Sequence, residues 1–542
     1  MASSIKLVSF RAIAIFVSFI SCTLLLATVH FGDPAPNIFG FLTEFNPVYW
    51  IGLFFLALST ISWYKSCGNL RFGFFLLELW VAYLFLIPIV GQPLASGRDT
   101  WEHLFAINQL SNHEVTNVFS NEASFSPGFY IFERVSMILT GIGYEAYPKV
   151  FLGYTMYFVI SIILLLFGRL IFAEPNNRVL FGLAGISFLW VPLLSVPSPE
   201  FYGLLLLILA TGALLKKGRS PTRDILVFAT IIAAIIISHV LVSFILMGET
   251  FVIWIYNMYS GIPHKTSKND FYRFLVTAIL FTGYYSLFPA FLSVSFQSVV
   301  QGLLNPLGTS PLYVARTSYQ AESIDISVMF LLVLIVWFVV GLVLVKGRIF
   351  RSEMIPKILL LSLPLLLIPF TGAYSNEGFL RIFFLGIPLE AALLITLTSR
   401  SKFIGLAFVI VLLMLSLPVR YSHQYVEYVP SGEITGSTYL SSHVVGEVGT
   451  LWPRAKPMAA GSLINSTLLS NELNVVPYQT NMIEGVSLAM KSPLDENLIL
   501  WFDGSATLYS IENTYYAPSN DLVYAGNDFW VYFMQQPVNL RV

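Results

Sequence analysis

The stretch Phe129-Tyr130-Ile131-Phe132-Glu133-Arg134-Val135-Ser136-Met137-Ile138-Leu139-Thr140-Gly141-Ile142-Gly143 decides how this chain is organised. It is apolar enough to enter a bilayer, but a spanning helix needs roughly 20 such residues. Glu133 and Arg134 also stand at its middle, where a charge at bilayer depth is costly. Read as a span, it inverts the sidedness of everything that follows. Read as a juxtamembrane helix at the interface, it leaves about thirteen apolar windows of spanning length, at 12–31, 48–64, 72–90, 149–170, 179–195, 201–215, 225–242, 243–260, 271–292, 326–345, 356–371, 382–398 and 403–419.

Basic residues choose between the two, because short cytoplasmic loops collect Lys and Arg. With the N-terminus inside, the inner segments hold Lys6 and Arg11, Lys65 and Arg71, Arg169 and Arg178, Lys216, Lys217, Arg219 and Arg223, Lys265, Lys268 and Arg273, Lys346, Arg348, Arg351 and Lys357, and Arg400 and Lys402. Those are 19 of the 29 basic residues. A span at 129–143 would turn the Lys216-Lys217-Gly218-Arg219 loop outward, so the juxtamembrane reading stands. The first window, preceded by Lys6 and Arg11, fits a spanning helix by its length better than a signal peptide.

Composition agrees. The 542 residues are 56% hydrophobic and only 11% charged, against roughly a quarter charged in a soluble domain. A net charge of -1 gives no preference for nucleic acid, so useful charge must be local. Two cysteines, Cys22 and Cys67, make neither a disulfide framework nor a Cys/His metal set. The expected fold is mainly α, a polytopic transmembrane bundle over residues 1–419. An odd span count places residues 420–542 outside, and there Ser, Asn, Gly, Pro and Tyr alternate with short runs such as Leu498 to Phe502 and Asp528 to Phe533. That pattern predicts a small extracytoplasmic α/β domain. Asn465-Ser466-Thr467 is a glycosylation triplet, a weak sign of the same location.

Chemistry concentrates at the outer boundary. The loop 91–148 opens with Gly97-Arg98-Asp99-Thr100-Trp101-Glu102-His103-Leu104, which sets two acids and an imidazole within one helical turn just beyond the third span. Asp99 reads either as a helix N-cap or as a general base. Glu200, in Pro197-Ser198-Pro199-Glu200-Phe201-Tyr202, reads either as an acid favoured by a helix dipole or as a second site carboxylate. His239 near the outer end of the seventh span must face protein or water. Arg381, at the outer start of the twelfth span, is either a snorkelling anchor or a phosphate holder, since guanidinium matches phosphate oxygens. The outer side before residue 420 has few other cations: Arg98, Arg134, Lys149 and Arg316. No GxxxxGK[ST] motif is present, which argues against an ATP-driven pump.

This order of residues resembles the GT-C superfamily of integral-membrane glycosyltransferases, which includes aminoarabinose transferases, protein O-mannosyltransferases and oligosaccharyltransferases. The resemblance covers about residues 70–400: Asp99 after an early span, Pro127 to Tyr130 opening the juxtamembrane segment, Glu200 at the next outer turn, then His239 and Arg381. The Asp-Thr-Trp-x-His-Leu string looks like archaeal members. The resemblance implies transfer of a sugar, with inversion, from a polyprenyl- or dolichyl-phosphate carrier to a glycan, lipid or protein acceptor outside the cell. Asp99 and Glu200 are then the catalytic carboxylates, with Glu102, His103, His239, Arg316 and Arg381 as substrate-binding residues. A divalent metal, magnesium or manganese, stays open as a cofactor, although Asp99 lacks an Asp-x-Asp partner. Trp501-Phe502-Asp503-Gly504-Ser505 is similar to the oligosaccharyltransferase string WWDYG but differs at three positions, and reads instead as the end of a strand followed by a turn. Oligosaccharyl transfer to protein and lipid transport are the competing functions; transporters tend to show internal repeats, and none is visible here.

Overall fold

The computed structural model describes residues 2–30, 42, 44–65, 69–91, 103–104, 107, 127–143, 147–149, 156–189, 198–215, 221–260, 264–289, 354–365, 378–398 and 402–422, together with seven strands between 447 and 534. The helices are α1 (Ala2–Thr28), α2 (Pro47–Lys65), α3 (Leu70–Val81), a π-helical turn (Ala82–Leu86) running into α4 (Ile87–Gly91), α5 (Pro127–Thr140), α6 (Tyr157–Ile171), α7 (Pro175–Ser187) and α8 (Pro199–Leu215). They continue as α9 (Pro221–Ser238), α10 (Val240–Tyr259), α11 (His264–Tyr285), α12 (Met354–Leu361), α13 (Gly378–Thr398) and α14 (Lys402–Ser422). Among the described residues three helical stretches, Pro47–Lys65, Leu70–Gly91 and Val240–Tyr259, are long and apolar enough to cross a membrane. This is a mainly helical integral-membrane architecture.

The centre of the bundle is α7, in which every residue from Val179 to Ser187 is buried. A helix apolar on all sides can be stable only when surrounded, and α3, α6, α13 and α14 surround this one. The π turn after α3 breaks the regular hydrogen-bond ladder, and its carbonyls find other donors. The Tyr49 hydroxyl donates to the Tyr83 carbonyl at 3.0 Å, and the Tyr421 hydroxyl to the Leu84 carbonyl. Tyr83 in turn donates to the Ser18 carbonyl at 2.8 Å. Three tyrosines thus tie α1, α2 and α14 to the turn that leads into the loop 91–148.

Two carboxyl groups inside the bundle are matched with hydroxyls from neighbouring helices, as an apolar solvent favours. Ser161 of α6 donates to Glu78 of α3 at 2.5 Å, and Thr211 of α8 donates to Glu249 of α10 at 2.7 Å.

The helix at the deciding stretch is α5, with 14 residues and hence about 21 Å long at 1.5 Å per residue, short of the roughly 30 Å hydrocarbon core. One face exposes Ile131, Val135, Ile138 and Leu139, while Glu133 on the other is fully buried. Burial pushes the Glu133 carboxyl up to about 8. The acid is accommodated by facing inward, where burial favours its neutral form.

Two local expectations change. The sequence division between windows at 242 and 243 falls instead at His239, because α9 ends at Ser238 and α10 begins at Val240; a continuous apolar run offers no signal for such a break. Arg273, counted above with an inner loop, lies inside α11, which starts at His264. It is buried and pairs with Asp270 at 3.2 Å, and Asn257 donates to the same carboxylate at 2.7 Å.

Beyond the helices, five strands form a sheet in the order β2-β1-β3-β7-β6, with β4 and β5 as a separate pair. These are β1 (Glu447–Thr450), β2 (Asn474–Pro477), β3 (Gly485–Ala489), β4 (Ile499–Phe502), β5 (Ser505–Leu508), β6 (Asn520–Ala525) and β7 (Trp530–Met534). β1 is parallel to β2 and β3; β7 is antiparallel to β3 and β6. Trp501 and Phe502 lie in β4, and Phe502 is opposite Ser505 of β5; Asp503 and Gly504 lie outside the described residues. The strand in the sequence reading of this string is present as β4.

Candidate functional site

Helix α8 starts where the sequence supplies its stop and cap. Pro199 at its first position has no N–H to leave unsatisfied, and the Ser198 hydroxyl accepts from the Phe201 amide at 3.2 Å. This cap fixes the first turn, which carries Glu200 where the helix dipole favours a carboxylate. Gly203, one turn on, lets α8 approach α10: a Cβ there would stand 2.9 Å from Val242 and 3.4 Å from the Cβ of His239. That approach brings the α9–α10 break against the start of α8. His239 sits in the break in extended conformation, φ -161 and ψ 123, which aims its ring out of both helices.

Glu200, His239 and Arg381 converge. His239 Nε2 lies 3.5 Å from Glu200 Oε1, and Arg381 Nη1 forms an ion pair with the same oxygen. The residues are 7%, 2% and 7% exposed. Each comes from a different helix end, and Arg381 stands in the first turn of α13. His239 Nδ1 has no hydrogen-bond partner among the described residues. The contact with Glu200 engages Nη1 of a guanidinium that has five N–H donors, so Glu200 orients Arg381 as well as neutralising it.

Helix α5 forms the adjoining wall. Gly128 lies against the end of α9, where a Cβ would stand 2.8 Å from both the Ile237 side chain and the Ser238 hydroxyl. Phe132 stacks on Tyr202 of α8, centroids 5.0 Å apart. His103, from the loop 91–148, reaches Tyr130, with its Nδ1 3.3 Å from the hydroxyl, and its ring meets the edge of Phe129.

Of the seven residues expected from sequence, the structure joins Glu200, His239 and Arg381, and places His103 on the neighbouring wall. Asp99, Glu102 and Arg316 lie outside the described residues. Sequence reading missed the Arg381–Glu200 pair, since nothing local links positions so far apart, and it missed Tyr130 as the neighbour of His103. Glu200 Oε1 faces a guanidinium. Among the described residues no group of three or more His, Cys, Asp or Glu could hold a metal ion.

The fold and site define an integral-membrane helical protein with a buried, charge-balanced polar cluster at one end of its bundle. Solved structures similar to it come from the oligosaccharyltransferase of Archaeoglobus fulgidus. For that enzyme with zinc and sulfate the TM-score is 0.47 at 12% identity, covering 72% of this chain and 61% of that one. For its apo form the values are 0.49, 10%, 74% and 64%. For archaeal oligosaccharyltransferase AglB with an inhibitory peptide and a dolichol-phosphate they are 0.48, 11%, 74% and 63%. The chain thus spans between 61% and 64% of the length of these structures. No residue role is carried across at this level of likeness. No protein-family model matches the chain, and no curated protein matches it.

Proposed function

We propose that this chain is a glycosyltransferase of GT-C type, moving a sugar from a polyprenyl- or dolichyl-phosphate carrier to an acceptor on the extracytoplasmic face, with inversion. The observation that carries the reading is the convergence of Glu200, His239 and Arg381 at one end of the bundle, all nine-tenths buried. Ionisable residues among membrane helices are costly and are retained where they serve function. The acceptor oxygen bonds to the anomeric carbon as the carbon–oxygen bond to the phosphate breaks, and the carrier phosphate leaves with that electron pair. Its charge needs stabilisation, which Arg381, held by Glu200, supplies, with Arg316 of the segment 293–325 as a second cation.

The acceptor proton needs a base. Glu200 is already committed to a guanidinium, so Asp99 takes that role, and Glu102, His103 and His239 line the sugar and phosphate positions. Residues 1–419 form the catalytic membrane domain, with about thirteen spans, and 420–542 an extracytoplasmic domain that completes the acceptor side. In cells lacking the protein, its lipid-linked sugar donor is expected to accumulate, as read by mass spectrometry of extracted lipid phosphates. Unchanged lipid-linked glycans would overturn the reading.

The orientation has its own test. With Cys22 and Cys67 replaced, single cysteines placed at 216–223 and in 420–542 are expected to react with an impermeant thiol reagent from opposite sides of intact cells. Labelling from one side would remove the odd-span topology.

A further inference from the structure

His103 is anchored beside the site rather than merely near it. The neighbouring helical residues Leu104 and Ile107 are buried at 4% and 1% exposure, which docks this piece of the loop 91–148 on the bundle core. Its ring lies edge-on to Phe129, centroids 5.7 Å apart, and 5.8 Å from the Tyr130 ring. Its Nδ1 is 3.3 Å from the Tyr130 hydroxyl. The helix that carries both aromatics is itself fixed, by Gly128 against Ile237 and Ser238 and by the Phe132–Tyr202 stack. Phe129, against which the His103 ring lies, is in turn 6.4 Å from the ring of Tyr202, two residues after Glu200, so the imidazole stands on the wall beside the start of α8.

A neutral imidazole carries one N–H and one bare nitrogen, and the hydrogen bond made by one nitrogen sets the state of the other. A phenol is a better donor than acceptor. We propose that Tyr130 is a positioning residue: its hydroxyl donates to Nδ1 of His103 and holds the ring as the Nε2–H tautomer, so that Nε2 is the donor of the ring. A donor there suits an oxygen-rich ligand, either sugar hydroxyls or phosphate oxygens. Only the identity of that ligand rests on the proposed glycosyltransferase function; the tautomer is a property of the chain.

The test uses the full chain in lipid nanodiscs, labelled with 15N on the imidazole nitrogens of its seven histidines. The His103 signals are assigned by their loss in His103→Gln. At about pH 8, above the ordinary imidazole range, a bare Nδ1 and a protonated Nε2 are expected in the wild type. In Tyr130→Phe both nitrogens are expected to move to values averaged between tautomers while the other six histidines keep theirs. A protonated Nδ1 in the wild type, or signals unmoved by Tyr130→Phe, would overturn the proposal. The wild-type spectrum decides the matter even where Tyr130→Phe fails to fold. Farnesyl phosphate, added as a probe, is expected to shift the His103 Nε2 signal. If it moves no histidine signal while the tautomer is as stated, the lipid-phosphate function fails and the positioning role of Tyr130 stands.

Discussion

Asp99→Asn is expected to lower sugar transfer by roughly 10²-fold or more, the scale of a general-base contribution. The substitution keeps the size of the side chain and its capacity to cap a helix, because Asn and Asp are comparable N-caps. It removes only the proton acceptor. A capping residue would therefore tolerate the change almost silently, whereas a base would not. Transfer is measured with purified protein and the lipid-phosphate fraction of the producing cell's own membranes, alongside thermal unfolding and retention of that lipid fraction. Transfer at close to the wild-type rate would take Asp99 out of the mechanism. Glu200 would not simply inherit its place, since its Oε1 is engaged by Arg381.

The second large effect concerns that pair. Glu200→Gln leaves a guanidinium buried without its counter-charge, and Arg381→Ala does the same to the carboxylate. Breaking one side of a buried pair costs about 3–5 kcal/mol, so each single variant is expected to unfold at clearly lower temperature in detergent. The double variant Glu200→Gln/Arg381→Gln removes both charges and is expected to recover most of the lost stability. Sugar transfer should stay lost in it, because the phosphate has no guanidinium to meet. Arg381→Lys keeps the charge but not the planar fork, and is expected to retain the fold while weakening donor binding. A double variant that transfers sugar normally would reduce the pair to a structural bridge. Single variants as stable as the wild type would show that the pair is not held in a dry environment.

The same pair shows where sequence reading stopped. Read alone, Arg381 was an anchor or a phosphate holder and Glu200 a dipole partner or a site acid. Their juxtaposition changes both: the arginine is aligned by the acid, and the acid is occupied by the arginine. His239 was placed near the end of a span, yet the break that aims its ring lies at 239 itself. Glu133 marked the segment 129–143 as unfit to span, and its short helix agrees; that the carboxyl faces inward was not visible beforehand.

Sequence by itself placed the chain in a membrane and set polar residues at the ends of its apolar windows; among the described residues three helices are long and apolar enough to cross. Those properties are legible because a bilayer tests each segment separately, by its own length, apolarity and flanking charge. Tertiary structure alone decided which of those ends meet. Lateral packing depends on small residues such as Gly128 and Gly203 that set how closely helices approach, and on buried charges that are tolerable only when matched. Such matching is a relation between positions 200, 239 and 381, and no single stretch of the chain contains it.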